Sequence, residues 1–385
     1  MYRSWGTAAI GRHAVIAVAT LITTALFSAH SDAAEDLVTR LGARTNQNTI
    51  AIVSGNLNGT YLSIAYDLSA VLDNGEELRV LPIIGKGGGQ NIRDVRFLKG
   101  VDLGITQSVL LTRFRRTGEI GSIDNKIVYI AKLFNEEMHL IVRAESGITS
   151  IEQLAGKKVN FSDIGSGTQL STREIFERLG IKATEVNMGQ VDAFEALKRG
   201  EIAATILIAG KPPGSIVKLK AADGFRILPV PYSKPLQKDF LPAILTHQDY
   251  PNLIEEGRQV DTVAVSAVLF AYNWDSDTER YRRIAKFVEA FFSRLPEFQK
   301  PPRHPKWREA NLAAVLPGWK RFEAAEQWLK NNQARIPPVA ERAQFNEFLA
   351  ARAADTAAKP AAAPPEQQER LFQEFLKWKQ ARERR

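Results

Sequence analysis

Five short turns, rich in glycine, hydroxyl and amide side chains, hold most of the chemistry this sequence offers. They are Ser54-Gly55-Asn56-Leu57-Asn58-Gly59-Thr60-Tyr61, Gly85-Lys86-Gly87-Gly88-Gly89-Gln90-Asn91, Thr106-Gln107-Ser108, Ser162-Asp163-Ile164-Gly165-Ser166-Gly167-Thr168 and Ala209-Gly210-Lys211-Pro212-Pro213-Gly214-Ser215. Each follows a strand-like run and leads toward a helix-like one. A helix start presents N–H groups without intrahelical partners and the positive end of a dipole. Glycine admits a ligand close to the backbone, and hydroxyls add directed hydrogen bonds. That chemistry suits a carboxylate. Taken singly, each turn serves equally well as a helix cap. Their recurrence after strands in both halves of the chain favours a common cleft. Lys86 and Lys211 are either partners for a second carboxylate or solvated surface charges.

Enzyme signatures are poor. Gly85-Lys86-Gly87-Gly88-Gly89-Gln90 fails the dinucleotide pattern at its last position, and no P-loop, nucleophile elbow or H-E-x-x-H occurs. Beyond the first 34 residues the histidines are His139, His247 and His304, far apart in the chain. There is no cysteine, which removes thiol nucleophiles, iron–sulfur clusters and thiolate zinc sites. No catalytic residue, metal site or cofactor is expected.

The turns need a scaffold, and the alternation of elements supplies it. Thr49–Val53 reads as a buried strand and Thr60–Leu72 as a helix with Leu62, Ala65, Leu68 and Leu72 on one face. Leu78–Ile84, Val101–Thr106 and Ile127–Leu133 read as further strands, with a helix over Asn91–Leu98. A second unit begins near Met138: strands at His139–Val142, Lys158–Phe161, Ala204–Ile208 and Phe225–Val230, helices at Ile151–Leu154, Leu170–Leu179 and Val191–Arg199. This order predicts an α/β fold with a largely parallel sheet covered by helices, whose strand carboxyl ends form the binding crevice. After the apolar run Val263–Ala271, Ser276-Asp277-Thr278-Glu279 has capping-box form. Ile284, Phe287, Val288, Phe291, Phe292 and Leu295 then form one helical face, and Trp319–Leu329 reads as another helix.

At 385 residues the chain suits two domains. Arg3, Arg12 and His13, the uncharged stretch Ala14–Ala29 and the small residues up to Ala34 have the layout of a secretory signal peptide. An uncleaved membrane anchor is the alternative, although the stretch is short for a span of about 20 residues. A periplasm-like location is expected. Cleavage after Ala34 lowers the formal charge from +8 to +7. That excess is read as mild steering of anionic solutes rather than nucleic-acid binding. Residues 331–385 differ: an Ala/Pro-rich linker (353–368) separates Phe345–Leu349 from the similar Phe372–Leu376. They read as a C-terminal helical extension that packs on the body, or contacts a partner or membrane surface.

The ordered series of turns resembles the TAXI family of TRAP-transporter solute receptors. It is carried by Gly59-Thr60-Tyr61, Gly87-Gly88 with Asn91, Val101–Ser108, His139–Arg143, Ile148–Val159, Gly165–Thr168, Ala193–Ala204, Ala209–Pro212 and Leu316–Phe322. The resemblance implies a two-lobed type II periplasmic-binding-protein fold with a hinge of two crossing strands, and delivery of glutamate-like or other small carboxylates to a membrane permease. It places lobe I at 47–135 plus 264–330 and lobe II at 136–263. By position, Ser54, Gly59, Thr60, Tyr61, Gly88, Gly89, Gln107, Ser108, Gly165, Ser166, Gly167, Thr168, Ala209, Gly210 and Lys211 would line the cleft. The chain departs from the family at Gln90, where Ser is usual, and at Lys211, where an uncharged residue is usual. The expected partners are a small anionic solute and TRAP permease subunits. A periplasmic sensor handing its closed state to a membrane receptor is the alternative.

Overall fold

The computed structural model describes residues 36–332, except 58 and 76. The segment read as a signal peptide and the segment read as a C-terminal extension therefore lie outside the described residues. Among the described residues no helix is long and apolar enough to cross a membrane.

The elements run α1 (36–47), β1 (Thr49–Val53), α2 (Thr60–Leu72), β2 (Arg79–Ile83), α3 (Gly88–Phe97), β3 (Leu103–Gln107), α4 (Ser108–Thr117) and β4 (Ile127–Arg143). There follow β5 (Lys158–Asn160), α5 (Gly167–Leu179), β6 (Thr184–Val186), α6 (Gln190–Lys198), β7 (Ala204–Ala209), α7 (Gly214–Val217), β8 (Phe225–Leu228) and β9 (Leu241–Thr246). The described chain closes with β10 (Gln259–Tyr272), α8 (Glu279–Ser293), α9 (Leu295–Phe298) and α10 (Glu323–Asn331).

One sheet joins the strands in the order β2-β1-β3-β10-β4-β7-β5-β6, with β8 on β4 and β9 on β10. β1, β2 and β3 pair in parallel, as do β5, β6 and β7. Between these two groups run the long antiparallel strands β4 and β10. Up to Glu137 β4 pairs with β10, and beyond it with β7 and β8; β10 changes partner at Ala264, from β9 to β4. The result is the two-lobed α/β fold with crossing strands at its waist. In both lobes the parallel strands point their carboxyl ends, and the turns after them, toward the crevice between the lobes.

The helix spacing holds well. α2 buries Ile64, Ala65, Leu68 and Leu72, and α8 buries Ile284, Phe287, Val288, Phe291 and Phe292 against Trp307, Phe298 and Phe322. Four elements differ from that reading. Ile127–Leu133 and His139–Val142 are one strand, because the acids between them, Glu136 and Glu137, are buried and satisfied rather than looped out. The cap of α8 is Thr278, whose Oγ1 accepts from the Tyr281 N–H at 3.1 Å, not Ser276. Gly318 at φ +75° takes a left-handed turn after Pro317, so α10 starts at Glu323 rather than near Trp319. Finally α4, β6 and β9 had no clear periodic signal; α4 buries Val109, Leu110, Leu111 and Phe114 and exposes Arg115 and Arg116.

Candidate functional site

The turns after β1, β2, β3, β5 and β7 meet around one cavity of about 80 Å³. Gly59, Thr60, Tyr61, Gly88, Gln107, Ser166, Gly167, Thr168 and Ala209 line it. The remaining residues expected there lie outside that lining. Ser54 is fully buried and its Oγ donates to the Ile83 carbonyl at 2.8 Å, fastening the first turn to β2. Gly89 faces Leu170 across the crevice: a Cβ there would lie 2.3 Å from its Cδ1. Ser108 starts α4 but is not on the cavity wall. Gly165 is bound through its N–H to Gln169 Oε1 at 2.6 Å, and its carbonyl accepts from the Gln90 N–H at 3.2 Å. Gly210 sits against Phe134, Thr60 and Lys306. Lys211 turns away, its ammonium donating to the Ile244 carbonyl at 2.7 Å and to Asp249 at 3.1 Å. That protein partner replaces the ligand carboxylate considered for Lys211. Lys86 lies on the cavity and is exposed.

The backbone dominates the wall because four helices begin there. Gly59, Gly87 and Ser166 are the N-cap residues of α2, α3 and α5, and Gln190 is the first residue of α6. Only α5 has a side-chain cap among them, Ser166 Oγ accepting from the Gln169 N–H at 3.1 Å. Converging N-termini make a positive, donor-rich enclosure. Local packing fixes their aim. The Asn91 amide, inside α3, donates to the Ser54 and Ile105 carbonyls at 2.7 Å each and to Val53 at 3.2 Å, tying the ends of β1 and β3 to the helix. Thr106 Oγ1 donates to the Gly88 carbonyl at 3.0 Å.

The lobes touch directly around the cavity. Thr60 Oγ1 donates to the Gly210 carbonyl at 3.1 Å, and Ser171 Oγ donates to Gln107 Oε1 at 2.5 Å. A Cβ on Gly88 would lie 2.2 Å from Gly167 Cα. Further out, Glu174 of α5 binds Arg113 at 2.7 Å and Arg116 at 2.5 Å, both from α4. This is a closed conformation, which accounts for the small volume beside the roughly 300–1,000 Å³ of typical ligand pockets.

Glu136, at the strand crossing, also lines the cavity and was invisible to sequence reasoning. Its Oε2 accepts from the Tyr61 hydroxyl at 2.5 Å. The Gln107 side chain is its second hydrogen-bond partner. Burial pushes the Glu136 carboxyl from 4.5 up to about 8, against the pull of those two donors. Burial first, and Glu136 second, raise the Tyr61 phenol well above its ordinary range. The neighbouring Glu137 faces the other way, onto Lys306 Nζ at 2.6 Å and the Lys211 N–H at 2.9 Å. His139 is fully buried; burial drives it down to about 3, so it is neutral, with ring nitrogens on Tyr250 and the Leu207 carbonyl. Gln190, also missed, donates to the Ile206 carbonyl at 2.8 Å from the start of α6. Among the described residues no cluster of His, Cys, Asp or Glu is arranged to hold a metal ion.

Residues 52–330 match the NMT1-like family, and the chain belongs to that family. Solved structures resemble it at low identity. A periplasmic transporter is 15% identical, covering 77% of this chain and 96% of its own, with a TM-score of 0.45. MatC from Rhodopseudomonas palustris with bound malate is 14% identical over 76% of this chain and 98% of its own, TM-score 0.45. The periplasmic binding protein BugD is 14% identical over 78% and 98%, TM-score 0.44.

Proposed function

We propose that this NMT1-like chain is an extracytoplasmic solute-binding protein. In this reading it captures a small carboxylate between lobe I (47–135 and 264–330) and lobe II (136–263) and delivers it to a membrane permease. The observation that carries the reading is the meeting of four helix N-termini, from both lobes, on one cavity. Main-chain donors held on rigid strand ends bind an anion without the flexibility of a surface lysine. Contacts from both sides favour closure, since a ligand shifts an equilibrium only by its differential affinity for the two states. The TAXI-like series of turns supports a TRAP-type permease as partner and the periplasm as the site of action. No turnover of the ligand is part of this reading.

The test is a thermal-shift screen of organic acids, amino acids, sugars and amines on the protein beginning at residue 35. A ligand at 100 times its Kd stabilises by about 2.7 kcal/mol. Stabilisation by carboxylates supports the reading; stabilisation by sugars or amines alone removes it. Uptake in cells whose ion gradients are collapsed while ATP is maintained then separates a gradient-driven permease from an ATP-driven one.

A further inference from the structure

The Tyr61–Glu136 pair holds more hydrogen-bonding capacity than the protein uses. Both side chains lie on the cavity, 6% and 4% exposed. One hydrogen bond joins them, Tyr61 OH to Glu136 Oε2. Gln107 has its carbonyl oxygen taken by Ser171, so its NH₂ group is the donor that reaches Glu136. Both partners of the carboxyl are thus donors. A neutral Glu136 gives the pair two O–H groups, of which the bond between them consumes one. Whichever oxygen carries the second proton, the cavity that both side chains line can supply its acceptor. An ionised Glu136 leaves no spare O–H and places a negative charge beside the incoming anion.

The charged groups around it do not relieve that conflict. From α2 the neighbour is Tyr61, from the β3–α4 junction the uncharged Gln107, and from β4 itself Glu137. Lys306, from the 3₁₀ turn Pro305–Glu309, is the nearby cation, but its ammonium is bound by Glu137 at 2.6 Å and Glu309 at 2.8 Å. Lys86 sits on the cavity at an exposed position.

We propose that the Tyr61–Glu136 pair makes anion capture proton-linked: a proton is held on the pair when the ligand is bound, and the spare O–H donates to a ligand oxygen. Glu136 is then the residue that selects for an anionic acceptor group at the floor of the cleft. The burial-raised carboxyl agrees with this geometry. The proposal rests on the cleft being an anion site, and the experiment separates the two claims.

The probes are succinate, L-malate, 2-oxoglutarate and L-glutamate, titrated calorimetrically into the wild type and Glu136→Gln from pH 6 to pH 9.5. Each point is repeated in buffers of different ionisation heat. In the wild type, affinity for the binding probe should fall about tenfold per pH unit above about pH 8. Proton uptake per ligand should rise toward one over the same range. Glu136→Gln keeps an N–H donor for the ligand and a carbonyl for Tyr61, so it should bind with a flat pH profile and no proton uptake. Proton uptake is a readout that a merely structural role would not move, and the wild-type measurement stands even if the variant misfolds. Binding with pH-independent affinity and no uptake overturns the proton linkage while leaving the anion site intact. Binding by none of the probes at pH 6 overturns both.

Discussion

Replacing Gly88 by alanine should disable closure while leaving each lobe folded. Gly88 opens α3 with φ +49°, and a Cβ there would lie 2.2 Å from Gly167 Cα, 2.4 Å from Gly167 N and 3.0 Å from Leu110 Cδ1. Non-bonded carbons settle at about 3.5–4.0 Å. The two nearest atoms are backbone and cannot rotate aside. Gly88→Ala therefore holds the starts of α3 and α5 more than about 1 Å farther apart than in the closed form. Hydrogen bonds made at about 2.7–3.2 Å are lost when stretched by that much. Two or three such contacts to a clamped ligand, at about 1 kcal/mol each, come to roughly 2–3 kcal/mol, or about 30- to 150-fold in Kd. The control is Gly100→Ala: φ is +86° and nothing lies within 4 Å of the added methyl. It carries the same backbone cost of about 1–2 kcal/mol without the clash. Calorimetry with the ligand from the screen, and small-angle scattering with and without it, measure the two consequences. Gly88→Ala should bind weakly and stay expanded; Gly100→Ala should bind normally and compact. Equal affinity and equal compaction of the two variants would refute the argument.

Three other outcomes follow from the buried charges. The native state holds a proton on Glu136 that the unfolded chain releases between pH 4.5 and about 8, so stability should fall as pH rises through that window. At about 1.36 kcal/mol per pKa unit the whole step is worth roughly 5 kcal/mol, and Glu136→Gln should remove it; denaturant melts of both proteins at pH 5, 6.5 and 8.5 check this, a constant difference between them being the failing result. Lys306→Met takes the cation from Glu137, which is 4% exposed, and should cost about 3–5 kcal/mol in urea unfolding. Glu174→Gln removes the carboxylate that Arg113 and Arg116 of α4 share with Arg178 of α5, while Arg178 keeps Asp239 at 2.6 Å and Arg113 keeps Glu119 at 3.9 Å. It should raise the ligand-free radius of gyration, an effect that weakens as salt is added; an unchanged radius at low salt would show that the cluster does not hold the lobes together.

Much of this protein is legible in short stretches of sequence. β1, α2 and the apolar face of α8 follow from hydrophobic spacing, and the turns at Gly59–Tyr61, Gly87–Gly88 and Ser166–Thr168 follow from local turn and cap chemistry. These are interactions among residues a few positions apart, which is the range over which periodicity carries information. The tertiary structure decided the rest. Glu136-Glu137 looked like a break between strands, because the cation that keeps Glu137 buried, Lys306, arrives 169 residues later. Lys211 could not be assigned until Asp249 and the Ile244 carbonyl came beside it, and the contacts of Ser54 with Ile83, Gly89 with Leu170 and Gly210 with Phe134 likewise join segments distant in the chain. Which turns line the cavity depends on how the two lobes meet, and the Gly88–Gly167 approach joins segments far apart in the chain. A buried polar group is stable only where its partners converge, and that convergence is a property of the assembled fold.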